Sequence, residues 1–299
     1  MLPYYDREQI AAVLDIGALI DAMEQALIAF STGKVIQPVR MRVVDQEAGG
    51  DLCLMPAVTD ILAVKLVGNY PRNHVRGLES HNAIVVVFDR WTGLPRAVLD
   101  GTYITQMRTA AVSAMAARRL AAPDAKVLAI LGSGAQARGH FETMRRVREF
   151  EEIRVWSRNP DHARAFAEET GARLCASSEE AVGGADVIAA TTSAKDPIVK
   201  GEWLKPGAHV SAVGWNGLDG RELDAAAMRS VIFVESREAA SRESGNILMS
   251  GASIHAELGE VLAGKAAADA GDNTVFISVG IATEDAYAAD LVLSALTKA

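Results

Sequence analysis

The chain has 299 residues, of which 49% are hydrophobic and 23% charged, so it can bury a large core, and intrinsic disorder is excluded. Its formal charge is −8 and it contains no basic run, so nucleic acid is not an expected partner. No apolar run reaches membrane-spanning length, so no contact with a membrane is expected. Cys53 and Cys175 form no CxxC pair, which predicts neither a disulfide framework nor a thiolate zinc site. The sequence therefore predicts a cytoplasmic globular protein.

The first third of the chain combines one amphipathic helix with a block of strands. Apolar residues recur at helical spacing from residue 16, where Asp15 suits the N-cap and Gly33 the C-terminal stop. Strands are predicted at "VRMRVVD", "DLCLMPA", "ILAVKLVG", "NAIVVVFD" and after the turn in "DRWTGLPRAVL". Because no regular helices separate these segments, they predict an antiparallel or mixed sheet.

From Thr105 onward, strands and helices alternate. The Ala-rich segment "TQMRTAAVSAMAARRLA" predicts a long helix at 105–121. The strands that follow are predicted at "KVLAIL", "EIRVWS", "ARLCAS", "DVIAATTS", "HVSAVGW", "SVIFVES" and "NTVFISVG". Helices are predicted at "GSGAQARGHFETMRRV", "NPDHARAFAEETG", "SSEEAVGGA" and "ATEDAYAADLVLSALTKA", the last capped at Thr283. This alternation is typical of an α/β fold with a parallel sheet and helices on both faces.

A glycine-rich turn at 132–137 gives the sharpest local signal. The segment "GSGAQA" directly follows the strand "VLAIL" and opens a helix. Gly132 permits the tight turn, and Gly134 lets the backbone approach a pyrophosphate, whose charge meets the N–H groups at the helix start. An ordinary turn between strand and helix is the alternative, but this context favours dinucleotide binding.

The end of the next strand distinguishes between cofactors. NAD enzymes usually place an acidic residue there to hold the ribose 2′-hydroxyl, whereas this chain has Ser157 and Arg158. A hydroxyl and a guanidinium suit a 2′-phosphate, so we expect NADPH, with NADH the less favoured cofactor. The alternative interpretation of Arg158 is a solvated surface arginine.

Several cations in the first third and the following helix suit an anionic ligand. Lys65 lies inside an apolar strand, where an ammonium needs an anionic partner or a catalytic task unless it faces solvent on an edge strand. Arg108, next to Thr109, opposes the dipole of its helix near the N-terminus, which is easier to explain if it binds an anion than if it is a structural arginine. Arg40 and Arg42 share one strand face, which suits either an anionic ligand or solvent.

Among the histidines, only His81 is a candidate for chemistry. It lies in Ser80-His81-Asn82, which introduces the strand "AIVVVF" in the same block as Lys65. A structural histidine is the alternative. The other histidines show no cluster spacing, so no metal site is expected.

Long ordered motifs make the chain resemble the ornithine cyclodeaminase/mu-crystallin family over nearly its whole length. They are "LMPA" at 54–57, "VKLV" at 64–67, "TQMRTAAVSAMAARRLA" at 105–121, "LGSGAQA" at 131–137, "EAVGGADVI" at 180–188, "GEWLKPGAHVSAVG" at 201–214, "SGASIHAELGEV" at 250–261 and "SVGIATED" at 278–285. The stretches "GEWLKPGAH" and "ASRESGNILMSGASIHAELGEV" are most similar to the mu-crystallin, or ketimine reductase, branch.

This resemblance implies a homodimer whose subunit has two domains. A Rossmann domain is expected at 113–277, and a substrate-binding and dimerisation domain at 1–112 plus 278–299. The candidate catalytic residues are Lys65, Arg42, Arg108, His81 and Asn216. The candidate cofactor contacts are Ser80, Thr109, Gly132, Ser133, Gly134, Ala135, Gln136, Ser157, Arg158, Asn159, Thr191, Val213 and Ser278.

Two departures from the family pattern bear on the reaction. Asn216 stands after "AVG" where the cyclodeaminases have an aspartate, and Cys53 stands where they have a glutamate. The amide of Asn216 cannot act as a general base, and Cys53 has no carboxylate. Both changes count against ornithine cyclisation but leave hydride transfer possible.

The sequence therefore predicts NADPH-dependent reduction of the C=N bond of a carboxylated imine. The substrate would be a cyclic ketimine such as piperideine- or pyrroline-2-carboxylate, or an imine formed from a keto acid and an amine. Arg42 and Arg108 would hold the carboxylate, and Lys65 would protonate the imine nitrogen. His81 and Asn216 would orient the substrate. The alternatives are reductive amination of a keto acid with ammonia, as in alanine dehydrogenases, ornithine cyclodeamination, and non-catalytic binding of NADPH and a small carboxylated ligand.

Overall fold

The computed structural model describes residues 1–214, 217–269 and 271–297. The chain forms two compact units, of which the first comprises Met1–Arg108 with Ile281–Ala299 and the second comprises Thr109–Gly280. The sequence predicts the junctions between the two domains after residues 112 and 277. No helix among the described residues is long and apolar enough to cross a membrane.

Helices and strands follow one another along the whole chain. Those from the N-terminus to the end of the first block are β1 (Tyr4–Tyr5), α1 (Arg7–Val13), α2 (Ile16–Ser31), β2 (Met41–Asp45), β3 (Gly50–Val58), β4 (Leu62–Asn69), β5 (His81–Phe88), β6 (Pro95–Asp100) and α3 (Gly101–Leu120). Those that follow are β7 (Val127–Leu131), α4 (Ala135–Val147), β8 (Glu152–Trp156), α5 (Pro160–Thr170), β9 (Arg173–Leu174), α6 (Ser178–Val182), β10 (Val187–Ala190), β11 (His209–Ala212), β12 (Val231–Val234), α7 (Arg237–Glu243), α8 (Gly245–Ser250), β13 (Ala256–Glu257), α9 (Leu258–Leu262), β14 (Thr274–Ile277) and α10 (Ala282–Leu296).

The first unit is built on a mixed sheet whose described strands run in the order β1-β6-β5-β4-β3-β2. Its neighbouring strands pair antiparallel except for β1 and β6, which are parallel. Helix α10 packs against β3, β4 and β5 as well as against α2. Strands β3, β4 and β5 alternate between more and less buried residues, so each presents one face to the helices. The mixed sheet predicted from the sequence is confirmed.

Local sequence signals explain the ends of α2. The Asp15 carboxylate accepts a hydrogen bond from the backbone N–H of Ala18, and Gly33 follows the helix with a φ of +71°. Both predicted helix limits are therefore confirmed. Residues Leu19, Ile20, Met23, Ala26 and Leu27 are buried at helical spacing and supply the helix's contribution to the core.

The second unit contains a sheet whose described strands run in the order β13-β12-β14-β11-β10-β7-β8-β9, and every pair is parallel. Helices α4, α5 and α6 connect β7, β8, β9 and β10, as expected for a Rossmann-type fold. The predicted α/β class with a parallel sheet is confirmed. Its core is formed by Ala, Val, Ile and Leu side chains of these strands that are fully buried.

Three local predictions need correction. Helix α10 begins at Ala282 with Ile281 at its N-cap, and Thr283, the predicted cap, donates its N–H and its hydroxyl to Gln37 Oε1 at 2.6 and 2.7 Å instead. Helix α3 begins at Gly101, earlier than predicted, so Arg108 lies in its third turn and the helix dipole affects it less than expected. In "ARLCAS" only Arg173–Leu174 pairs as a strand.

Candidate active site

Two of the predicted cations, Arg42 on β2 and Lys65 on β4, share one face of the sheet of the first unit. We call this side, which packs against α10, the inner face. Residues directly opposite each other on neighbouring strands share a face. The opposing pairs on the inner face are Arg42 with Cys53, Asp51 with Asn69, Asn69 with His81, Met55 with Lys65 and Lys65 with Val85. The register therefore gathers chemistry-bearing side chains from β2 to β5.

Lys65 occupies the centre of this face and is almost completely buried. Only 2% of its side chain is exposed, and its Nζ lies 2.7 and 2.9 Å from the two carboxylate oxygens of Asp285 in α10. Nζ also donates to Thr105 Oγ1 at 3.3 Å. Burial lowers the pKa of Lys65 to about 8, Asp285 opposes this shift, and the charge of Arg108 adds to it. The ammonium can therefore lose or regain a proton close to neutral pH.

Arg108 shares the carboxylate of Asp285. Its Nε donates to Asp285 Oδ1 at 3.0 Å, and its Nη1 donates to Glu284 Oε2 at 2.7 Å. Burial alone would raise the pKa of Asp285, but Lys65 and Arg108 together hold it below its ordinary value. Lys65, Arg108, Glu284 and Asp285 thus form a buried set with two positive and two negative groups. We call these four residues the charge quartet.

Arg42 is paired with an acid that the sequence did not single out. Its Nη2 lies 2.5 Å from Asp51 Oδ2, and the arginine side chain is 38% exposed. The other oxygen of Asp51 accepts hydrogen bonds from Asn69 Nδ2 at 2.9 Å and from Cys53 Sγ at 3.2 Å. Burial and the neighbouring Asp51 raise the pKa of Cys53 to about 11. The thiol at this position therefore stays protonated and neutral.

His81 is a neutral imidazole at physiological pH. Burial lowers its pKa to about 4, and the positive charges of Lys65 and Arg108 contribute to the shift. A neutral imidazole can orient a ligand through hydrogen bonds but is not a proton donor of useful acidity. The preceding Ser80 is exposed, and its carbonyl accepts a hydrogen bond from the N–H of Tyr70.

The glycine turn of the second unit has the geometry of a phosphate cradle. Gly132 has a φ of +120°, and a Cβ there would lie 2.6 Å from Thr191 Oγ1. Gly134 is the N-cap of α4 without a side-chain cap, and a Cβ added to it would meet no atom within 4 Å. Gln136 Oε1 is buried and has no hydrogen-bond partner among the described residues. The turn therefore leaves open space at a helix N-terminus, which fits a dinucleotide pyrophosphate.

The end of β8 carries no acidic residue. Ser133 Oγ donates to Ser157 Oγ at 3.0 Å, so the two serines are linked between the glycine turn and this strand end. Arg158 is exposed, and within the described part of the chain it forms no ion pair. The side chain of Asn159 accepts hydrogen bonds from the N–H groups of Asp161 and His162 and thereby caps α5. Residues 157–159 therefore offer no carboxylate to a ribose 2′-hydroxyl, and the side chain of Arg158 is exposed to solvent.

The remaining candidate cofactor residues have intramolecular contacts of their own. Thr109 is buried, the Thr191 hydroxyl donates to the carbonyl of Leu131 at 2.9 Å, and the N–H of Val213 donates to Ala190. The Ser278 hydroxyl donates to Glu235 Oε1 at 2.5 Å. Ala135 is exposed at the first position of α4. Asn216, predicted to orient the substrate, lies outside the described residues.

Four residues of this site were missed by the sequence analysis: Glu284, Asp285, Asp51 and Asn69. The "ATED" segment counts in the sequence as the start of a helix, where acidic residues are common, and as part of a family motif, but neither reading assigns a role to its two acids. Asp51 and Asn69 stand at the ends of their strands and carry no motif of their own. The second unit has a buried acid as well, Glu222, which is fully buried and accepts hydrogen bonds from Thr192 and Gly214. Burial raises its pKa to about 7.

Comparisons of this chain with family models, with curated proteins and with solved structures agree on one family. The model of the ornithine cyclodeaminase/mu-crystallin family matches residues 5–298. Ketimine reductase mu-crystallin of Mus musculus is 47% identical over 283 residues, covering 92% of this chain and 90% of that protein. The structure of Thermococcus litoralis Delta(1)-pyrroline-2-carboxylate reductase with NADH and L-proline is similar at 35% identity and a TM-score of 0.94, covering 100% of this chain and 98% of that one. An archaeal alanine dehydrogenase dimer with bound NAD is similar at 29% identity and a TM-score of 0.92, covering 99% and 96%.

Proposed function

Because the chain belongs to the ornithine cyclodeaminase/mu-crystallin family, we propose that it is an NAD(P)H-dependent imine reductase. It reduces the C=N bond of carboxylated imines, such as piperideine-2-carboxylate and pyrroline-2-carboxylate, to the corresponding amino acids. The names of the mouse and Thermococcus relatives support this class of substrate. The observation that carries the proposal is the charge quartet, in which a buried lysine with a pKa of about 8 lies beside a buried arginine.

Arg42 and Arg108 bind the substrate carboxylate. A guanidinium has five N–H donors in a planar fork, so Arg108 can contact a carboxylate while it keeps Glu284 and Asp285. In a buried site such charge-assisted hydrogen bonds fix the orientation of the substrate and increase its affinity for the protein. The neutral His81 adds a hydrogen-bonding group on the same inner face without adding charge.

Lys65 supplies the proton for the imine nitrogen. Protonation of that nitrogen makes the C=N carbon a stronger hydride acceptor, and a lysine with a pKa of about 8 can donate near neutral pH and regain its proton from solvent. Asp285 keeps the ammonium charged before transfer and holds Nζ in place. The reduced nicotinamide, when bound, supplies the hydride, so imine, reduced cofactor and one proton yield amine and oxidised cofactor.

The second unit binds the nicotinamide dinucleotide through the turn at 132–136 and the N-terminus of α4. The Thermococcus and archaeal relatives are described with NADH and NAD, which supports this class of cofactor. For this chain we propose a preference for NADPH, because Ser157 and the exposed Arg158 stand where a 2′-phosphate is recognised.

We propose that the first unit also forms a homodimer. The face of its sheet opposite α10 exposes apolar side chains, including Met41, Val43, Leu52 and Ile84, with exposed fractions from 37% to 62%, whereas Arg42 lies on the other face of β2. Contiguous apolar surface of this kind marks an interface rather than a solvated face. The archaeal relative described as a dimer supports a second copy of the chain as the partner. Both cysteines are free and buried, which agrees with the reducing cytoplasm as the proposed compartment.

Two related reactions use the same cations and are separated by one substrate panel. Purified protein would be assayed with NADPH and NADH in parallel, against piperideine-2-carboxylate, pyrroline-2-carboxylate, pyruvate with ammonium, and ornithine. The proposal predicts rapid NADPH oxidation with a cyclic imine. It also predicts no ammonia release from ornithine in the presence of oxidised cofactor, because the neutral Cys53 thiol supplies no carboxylate for cyclisation. Faster turnover with pyruvate and ammonium would favour the alanine dehydrogenase reaction. Tight NADPH binding without turnover of any imine would contradict the proposal.

A further inference from the structure

The position of Arg42 presents a problem for carboxylate binding. It stands on β2, the edge strand of its sheet, where every residue is exposed, and 38% of its own side chain is in contact with solvent. A long side chain in such a place loses rotamer freedom when it binds a ligand, which reduces affinity. Because every residue of β2 is exposed, core packing cannot restrict the rotamers of Arg42. A fixed polar partner is therefore needed to hold its guanidinium.

Asp51 has the properties of that partner. Its side chain is only 10% exposed, and one carboxylate oxygen lies 2.5 Å from Arg42 Nη2. The other oxygen accepts hydrogen bonds from Asn69 on β4 and from Cys53 on β3, so the carboxylate is itself fixed from two strands. Burial alone would raise the pKa of Asp51, but the hydrogen bonds from Asn69 and Arg42 hold it below its ordinary value. The acid therefore stays charged throughout the neutral range.

We propose that Asp51 is the positioning residue that preorganises Arg42 for the substrate carboxylate. Asn69 and Cys53 hold the acid, the acid holds the arginine, and the arginine binds the substrate. This inference rests on the proposed function, in which Arg42 contacts the carboxylate. Because Asp51 acts on binding and not on proton transfer, its loss should raise KM while kcat changes little.

A double-mutant cycle tests this chain of contacts. The variants are Arg42→Gln, Asp51→Asn and the combination of both, with Glu47→Gln as a control that removes one negative charge from an exposed position in the same hairpin. With piperideine-2-carboxylate and saturating NADPH, we expect either single change to raise KM about 10-fold or more, within the range of a charge-assisted hydrogen bond, and to leave kcat within about threefold. The combined variant should be no worse than Arg42→Gln alone, because Asp51 has no other route to the substrate. The control should match the unmodified protein.

Three results would overturn the proposal. The first is a KM of Asp51→Asn within about twofold of the unmodified value. The second is a KM of the combined variant raised by the product of the two single effects. The third is a loss in kcat of Asp51→Asn that exceeds its change in KM. If Asp51→Asn folds poorly, the comparison of Arg42→Gln with the combined variant still decides, because the combined variant removes both charges of the pair and leaves neither of them unpaired.

A binding measurement separates this inference from the proposed function. Calorimetric titration with pyrrole-2-carboxylate, a planar carboxylate that requires no hydride transfer, should show the same pattern in Kd across the same proteins. If the unmodified protein binds this probe but reduces no imine, the proposed function fails while the role of Asp51 is still decided by the titrations. If the unmodified protein binds neither probe nor imine, both proposals are overturned.

Discussion

Nζ of Lys65 lies 2.7 Å from a carboxylate oxygen of Asp285, although 220 residues separate the two in the chain. The pair explains how an ammonium can occupy an inner strand of a sheet with only 2% of its side chain exposed, because an unpaired charge there would be strongly unfavourable. It also joins the strand block of the first third to the last helix. The proposed proton transfer depends on this contact.

Replacement of Asp285 should move the pH dependence of the reaction. Lys65 donates its proton only below its pKa, so kcat/KM should fall as the pH rises through about 8. Asp285 raises the pKa of Lys65, and Asp285→Asn should therefore shift this high-pH limb toward lower pH by about one unit or more. Rates with piperideine-2-carboxylate across the pH range provide the measurement. Asp290→Asn, on the same helix, is the control and should leave the limb in place.

Substitutions at two glycines should separate folding from cofactor binding. In Gly132→Ala the new Cβ would lie 2.6 Å from Thr191 Oγ1 at a φ of +120°, so both thermal stability and NADPH affinity should fall. In Gly134→Ala the Cβ meets no protein atom, so the melting temperature should stay unchanged while NADPH binding weakens by about 10-fold or more. Thermal melts and NADPH fluorescence titrations test both. Full NADPH affinity in Gly134→Ala would show that no phosphate approaches this turn.

Replacement of Arg158 should change cofactor choice without changing the chemistry. Arg158→Ala should raise KM for NADPH by about 10- to 100-fold, because a bidentate contact with the 2′-phosphate is lost, while KM for NADH stays the same. Arg164→Gln removes a nearby exposed arginine that pairs with Asp161 and should alter neither constant. Equal changes for both cofactors in Arg158→Ala would contradict the proposed preference for NADPH.

Two buried histidines should make the second unit sensitive to acid. Burial lowers the pKa of His140 to about 4 and that of His209 to about 3, whereas an exposed histidine titrates near its ordinary value of 6.5. As the pH falls below 6.5, these histidines take up protons in the unfolded chain but not yet in the folded protein. The free energy of unfolding is therefore highest above pH 6.5 and decreases as the pH falls. Each histidine should reduce the free energy of unfolding by about 2 kcal/mol at pH 5.

His209→Gln tests this acid sensitivity, because glutamine can still form hydrogen bonds with Ser211 and Thr274 without gaining a charge. Urea unfolding at about pH 7 and pH 5 should show a smaller loss for the variant than for the unmodified protein. An equal loss in both proteins would mean that His209 does not contribute to acid unfolding.

Local signals in the sequence predicted much of the fold and part of the site. The glycine turn at 132–137 is recognisable because the turn, the preceding strand and the following helix are contiguous in the chain. Lys65 stood out because the apolar residues around it predicted a buried strand. The limits of α2 followed from Asp15 and Gly33, whose capping roles depend only on near neighbours.

The missed residues depend on contacts that the sequence does not display. Asp285 belongs to a helix start where an acid is unremarkable, and its partners Lys65 and Arg108 come from distant elements. Asp51 reaches Arg42 only because of the pairing register of β2 and β3. Thr283 was a reasonable N-cap by residue type, but Gln37 from a remote loop bonds its hydroxyl and N–H instead.

The most direct test of the proposed mechanism is the rate of NADPH oxidation with piperideine-2-carboxylate in Lys65→Met, together with the affinity of this variant for NADPH. Methionine has a similar length and no proton to donate. We predict a fall in kcat/KM of about 100-fold or more, within the range of general acid catalysis, and unchanged NADPH binding. Turnover of the imine at the unmodified rate would contradict the assignment of Lys65 as proton donor and, with it, the mechanism as a whole.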